Sequence, residues 1–277
     1  MGSDQGQQVQ FANRPEDRQT EIDLVRDYYS NKTLFDWWIK HPFRRHVLAR
    51  YHPHIERLMS ERGRGLTIVE VGSGVGVDLT LLVRRYPSTR AIGFDLSSEG
   101  VWTSAQYGLG QYFVADAENP ALSDDSCDVV LLVNVLHHFY RYPERVLSEV
   151  DRILRPGGLL LLRDPNGGRI NPRLVVNITS RAMRFVNLWA RVLRRPVFDL
   201  EIPPPSPTEK CIRYEDLRQA LETRFDLVDR GFVDCLTHMA RWHAFPYWLL
   251  RLLDKAIHFV DPRSLVFYSF VCRSLKP

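Results

Sequence analysis

The chain has 277 residues, enough for one large domain with attached segments and for a substantial core. With 44% hydrophobic and 25% charged residues it has the balance of a soluble globular protein, and no apolar run reaches the length of a membrane span. Four widely spaced cysteines without a C-x-x-C pair suggest neither a disulfide framework nor a zinc site, which makes a reducing cytoplasm the default compartment.

The amino-terminal stretch "MGSDQGQQVQFANRPEDRQ" is polar and lacks the apolar centre of a signal peptide, so residues 1–19 are expected to be a disordered leader. Residues 20–65 read as a helical cover with clustered aromatics, ending in a short basic, glycine-bearing linker at 62–65. Strands and helices then alternate. Strands are expected over 66–71, 90–95, 111–115, 127–134 and 158–163. Helices are expected over 77–85, 98–107 and 142–154, the last closed by "RPGG". This rhythm predicts right-handed βαβ units on a parallel sheet, a core spanning residues 66–166.

The rhythm breaks over 167–212. Within it "RINPRLVVNITSRAMRFVNLWARVLRRP" carries seven arginines and no acid, so the rest of the +4 chain sums to −3. Its apolar residues recur every three or four positions, as on one helix face. Three uses fit: a cap packed on the core with solvated arginines, a site for an anionic acceptor, or an interfacial helix. Residues 213–277 return to the α/β pattern, with a helix at 214–224 and strands at 225–233 and near the end. A second amphipathic insertion, "FPYWLLRLLDKAIHFV", lies between those strands.

The chemistry concentrates in "IVEVGSGVGVDLTLLVRRYP". Glycines between a first strand and a first helix let a ligand approach the backbone closely. Gly72, Gly74 and Gly76 do not have the G-x-G-x-x-G spacing of a dinucleotide site, and the Lys-Ser/Thr of a phosphate loop is absent. Glu70 would repel a pyrophosphate and suits an ammonium or sulfonium group. Asp95 ends the second strand, where an acid can accept both hydroxyls of a ribose. Asp116 and Asn134 follow the third and fourth strands, so all these groups should lie along one carboxyl edge of the sheet. His137 and His138 follow the fourth strand, and Asp164 ends the fifth.

In order and spacing, "VEVGSGVG", "GFDLS", "VADAENPALSDDSCDVVLLVNVLHHF" and "VLSEVDRILRPGGLLLLRD" resemble the motifs of class I S-adenosylmethionine-dependent methyltransferases, nearest the small-molecule branch called type 11. The resemblance is close over 66–164. It implies a Rossmann-like, seven-stranded, mostly parallel sheet flanked by helices, its last strand antiparallel, with helical insertions forming a substrate cap. It implies S-adenosylmethionine as cofactor, S-adenosylhomocysteine as product, and no metal. By this resemblance Glu70, Gly72, Ser73, Gly74 and Gly76 hold the methionine part, Asp95 the ribose, and Leu96 lies beside the adenine. Asp116 and Ala117 meet the adenine edge, Asn134 faces the methionine end through its backbone, and Tyr28 and Tyr29 belong to the lid. His137, His138 and Asp164 are the expected catalytic groups.

The expected activity is O-methylation of a fairly apolar or aromatic natural-product-type small molecule. One alternative is a lipid or lipid-linked glycan acceptor met at the membrane surface, with peripheral membrane contact through the basic insertion. Another is a cofactor-binding protein that does not transfer methyl groups. Nucleic acid is not expected, because "NVLHH" replaces the Asn/Asp-Pro-Pro-Tyr/Phe of base-flipping amino methyltransferases and no nucleic-acid module is appended.

Overall fold

A computed structural model of the chain describes residue 29 and residues 32–167, 210–233, 248, 252, 255–256 and 267–276. The basic segment at 169–196, most of the second insertion, and Tyr28 lie outside the described residues.

The cover consists of three helices, α1 (Lys32–Lys40), α2 (Pro42–Ala49) and α3 (His52–Arg62). Prolines at the first turns of α2 and α3 set the breaks, since proline fits a first helical turn but cannot accept being further in. His41 caps α2 by accepting the Phe43 N–H on Nδ1 at 3.2 Å. Gly63, with φ of 61°, ends α3 in the left-handed conformation, so the expected linker begins as a helix cap.

The core runs β1 (Thr67–Val71), α4 (Val77–Arg85), β2 (Arg90–Asp95), α5 (Ser98–Tyr107), β3 (Gln111–Val114), β4 (Cys127–Val133), a 3-10 turn (Leu136–Phe139), α6 (Pro143–Ile153), β5 (Leu154–Pro165), α7 (Tyr214–Glu222), β6 (Phe225–Val233) and β7 (Phe267–Ser274). The sheet order is β3-β2-β1-β4-β5-β7-β6, with β7 antiparallel to both neighbours and every other pairing parallel. This is the Rossmann-like architecture expected from the resemblance. One local reading needs correction: "RPGG" does not close α6 but lies inside β5, whose strand begins at Leu154. The register jumps there, with Cys127 opposite Leu154 and Val129 already opposite Leu159, so the extra residues bulge out of the ladder.

β4 reads "CDVVLLV" and is buried at every position, as befits a strand covered on both faces. One face packs against Val146, Leu147, Val150 and Ile153 of α6 and Leu217 and Leu221 of α7. The other packs against Phe43, Tyr51, Ile55 and Leu58 of the cover and Leu79 and Leu82 of α4. The cover is also pinned by polar bonds. Tyr51 Oη donates to Leu162 O at 3.0 Å and lies 3.0 Å from Ser269 Oγ, and Arg50 pairs with Asp229 at 2.9 Å. Among the described residues no helix is long and apolar enough to cross a membrane.

Candidate functional site

In a parallel sheet every strand leads its chain to the same edge, so β1, β2 and β4 deliver their following loops together. After β1 the chain turns through Gly72, Gly74 and Gly76, at φ of 66°, 50° and 74°, a region that L side chains rarely adopt. The three differ in what a side chain would meet. A Cβ at Gly72 would lie 2.5 Å from Val135 Cγ2, and one at Gly76 would lie 2.7 Å from Ser104 Cβ. At Gly74 it would meet only the Tyr29 ring, at an ordinary 3.6 Å. Gly72 and Gly76 are therefore required by packing, whereas a methyl group at Gly74 would find only ordinary contact with Tyr29 among its nearest neighbours. Ser73 is buried in the same turn and donates its N–H to Phe94 O at 2.9 Å.

Asp95 ties that turn to β2. Its Oδ2 accepts the Gly74 N–H at 2.8 Å and its Oδ1 the Ser97 N–H at 2.9 Å. Burial raises its carboxyl above the usual range, opposed by those backbone bonds and by nearby His138. Leu96 follows, partly exposed beside it. Asp116 closes a turn by accepting the Glu118 N–H at 3.0 Å, and Ala117 packs on the core cluster of the α6 face. Tyr29 is anchored to α5 through its carbonyl, which accepts from Thr103 Oγ1 at 2.7 Å.

Glu70 is almost fully buried at the end of β1, and its Oε2 accepts the Leu79 N–H at 3.2 Å in the first turn of α4. Burial, then neighbouring Asp78, pushes its carboxyl well above the carboxylate range. Asp78 is itself held by Arg44, which also stacks 4.3 Å over the Trp38 ring. Sequence reading missed both Asp78 and Arg44. The available signal was an acid two positions after the last glycine, where a helix amino terminus attracts negative charge.

Beyond β4, Asn134 adopts φ of 58°, one of two described non-glycine residues with positive φ. Its N–H donates to Arg163 O at 2.8 Å, and its Oδ1 accepts from the Arg163 guanidinium at 3.1 Å. In the 3-10 turn, His137 Nδ1 lies 3.0 Å from Asp164 Oδ1, and the His138 ring lies 4.1 Å from the His137 ring. Asp164 is 1% exposed, and among the described residues its Oδ2 has no hydrogen-bond partner. Tyr268, opposite Asp164 across the β5–β7 ladder, is fully buried with an equally unpartnered hydroxyl. The carboxyl edge of the sheet thus gathers the glycine turn, the acids Glu70 and Asp95, and the contact between His137 and Asp164.

The methyltransferase domain family matches residues 69–162. A phthiotriol/phenolphthiotriol dimycocerosates methyltransferase of Mycobacterium ulcerans is 40% identical over 103 residues, 36% of this chain and 38% of that protein. A fatty-acid O-methyltransferase of Mycolicibacterium smegmatis is 32% identical over 103 residues, 36% of this chain and 37% of that one. The matches therefore span under two-fifths of these curated relatives. A methyltransferase solved in complex with the Haloferax volcanii Trm112 activator shares the fold, with a TM-score of 0.57 at 18% identity over 92% of this chain and 98% of that one. The central part of the chain, with its motifs, its sheet order and its family match, is a class I S-adenosylmethionine-dependent methyltransferase domain.

Proposed function

We propose that the protein transfers a methyl group from S-adenosylmethionine to an oxygen atom of an apolar, lipid-like acceptor, with His137 taking the acceptor's proton. The observation that carries this reading is the 3.0 Å contact between His137 Nδ1 and Asp164 Oδ1. An ionised carboxylate can only accept a hydrogen bond, so Nδ1 carries the ring proton and Nε2 is left as the basic nitrogen. The contact with Asp164 also holds the ring in one orientation.

The residues present fit the cofactor. The glycine turn around Gly74, where no Cβ stands between the backbone and Tyr29, would take its methionine part, and Asp95, already held by backbone bonds, keeps lone pairs for ribose hydroxyls. Leu96, Asp116 and Ala117 would flank the adenine, with Tyr28 and Tyr29 as the lid. When bound, the cofactor supplies a methyl group that is already activated. The chain's own task is then to align the acceptor, exclude water and remove a proton.

The names of the two relatives, a fatty-acid and a dimycocerosate methyltransferase, support a lipid-like acceptor over an aromatic natural product. An arginine-rich 169–196 and the amphipathic 245–260 suit an acceptor met at a membrane surface, with the protein otherwise cytoplasmic. The test is incubation with methyl-labelled cofactor and three acceptor pools: long-chain fatty acids, long-chain alcohols and small phenols. Label is expected in the long-chain pools. With the long-chain alcohols, whose hydroxyl keeps its proton at neutral pH, His137→Ala should lower turnover by about 10²–10⁴-fold while leaving cofactor affinity unchanged. Label only in phenols overturns the acceptor class, and undiminished turnover in His137→Ala overturns the base.

A further inference from the structure

Arg163 is the largest fully buried side chain of the described residues. It ends the apolar run "GLLLLR" of β5 and lies between two aromatic rings, 5.1 Å from the centroid of Phe43 and 4.5 Å from that of Phe267. Burial, then the neighbouring Arg44, lowers its pKa to about 10, so it remains a cation at neutral pH. A buried cation is costly unless a carboxylate meets it with good geometry. None does so among the described residues. Asp78, on the same face, is held by Arg44, and Asp164 by His137. The guanidinium Nε and Nη1 have no hydrogen-bond partner there, and its one side-chain bond goes to Asn134 Oδ1 at 3.1 Å.

That single bond is made to one of the two described non-glycine residues with positive φ. Asn134 sits at φ of 58°, a conformation open to asparagine but not its preferred one. Arg163 grips it at two points, receiving its N–H on the main-chain oxygen and donating to its side chain. Stability alone does not account for the arrangement, because an apolar side chain of similar length would fill the slot between Phe43 and Phe267 without a desolvated charge.

We infer that Arg163 is a positioning residue of the cofactor site: through Asn134 Oδ1 it holds the Asn134 backbone in the left-handed conformation that presents it to the methionine end of the cofactor. This rests on the cofactor reading above. The two rings keep water away from the guanidinium, so the bond to Asn134 is made in a low-dielectric setting where it is strong.

The experiment is a double-mutant cycle read by calorimetric binding of S-adenosylhomocysteine to the full chain, with thermal melts alongside. Arg163→Met keeps the length and the packing between the rings. Asn134→Gly removes the side-chain acceptor while adopting the left-handed conformation freely. In the wild-type background Arg163→Met should weaken binding by about tenfold or more, the scale of a hydrogen bond to a charged group. In the Asn134→Gly background it should change binding less than about twofold, because the bond it breaks is already gone. In turnover assays Arg163→Met should raise the KM for the cofactor and leave kcat nearly unchanged. Equal losses in both backgrounds, or no loss in the first, overturn the inference while leaving the cofactor reading intact. A wild-type chain that does not bind S-adenosylhomocysteine overturns both.

Discussion

Glu70 is an acid that the fold buries at the end of β1 beside a second acid. Its carboxyl caps α4 through the Leu79 N–H, yet burial and Asp78 disfavour its charge, so its folded pKa is raised. A raised carboxyl contributes stability that is present in full below the unfolded value of about 4.3 and is lost as pH rises through the folded value. Glu70→Gln keeps the cap and removes the charge. The cofactor-free variant should therefore melt above the wild type at pH 8, with the gap closing towards pH 4. If the ammonium end of the cofactor lies against Glu70, the variant should also bind S-adenosylhomocysteine, which keeps that ammonium, about tenfold more weakly. Melting curves across pH, with and without that ligand, check both halves, and a variant that melts lower at pH 8 contradicts the first. From the sequence, an acid before the glycines could be placed at the end of the first strand and was expected to be a cofactor group. Its burial beside Asp78 was not, because that depends on where α4 starts relative to the end of β1.

At the scale of elements, the glycine turn divides into two positions closed by packing, Gly72 and Gly76, and one that is not, Gly74. Gly72→Ala would drive a Cβ against Val135 in a strained backbone region, and should cost about 2–4 kcal/mol. Gly74→Ala adds only the conformational penalty of about 1–2 kcal/mol, since its Cβ meets nothing closer than Tyr29 at 3.6 Å. If the methionine part of the cofactor lies against this turn, the added methyl group should nevertheless weaken cofactor binding measurably. Denaturant titration of both variants beside calorimetry separates the two effects. A Gly74→Ala protein that binds normally would mean that this position faces away from the ligand. The three glycines were legible as a strand-to-helix turn from their spacing alone. Which of them tolerates a methyl group was not, since Val135 and Ser104 arrive from other elements.

For the molecule as a whole, the carboxyl edge carries the site and the opposite edge carries a charge cluster. Asp128, at the start of β4, is fully buried and accepts from Arg64 at 2.7 and 3.1 Å, from Arg155 at 2.8 Å and from the Thr67 N–H at 2.9 Å. Burial alone would raise its pKa, but the Arg64, Thr67 and Arg155 partners outweigh that and lower it. A lowered carboxyl contributes stability that is present above the unfolded value of about 3.9 and is lost as pH falls through the folded value. Asp128→Asn should thus destabilise the fold by about 3 kcal/mol at pH 7, by leaving the arginines around an uncharged group. The loss should shrink below about pH 4, as denaturation in guanidinium chloride at the two pH values would show. Cofactor affinity should hold, because the cluster lies across the sheet from the glycine turn. The contrast between the two edges sets what each level of description could deliver. Strand runs, helix periods, glycine spacing and the order of Asp95, Asp116, Asn134 and Asp164 are local patterns along the chain, and they determined the Rossmann-like sheet and the carboxyl edge on which these residues fall. The pairings Glu70 with Leu79, Arg44 with Asp78, His137 with Asp164 and Arg163 with Asn134 join separate elements. Only the tertiary structure decided them, because which side chains meet depends on strand register and helix placement, and these are fixed by packing across the whole sheet rather than by any one stretch of sequence.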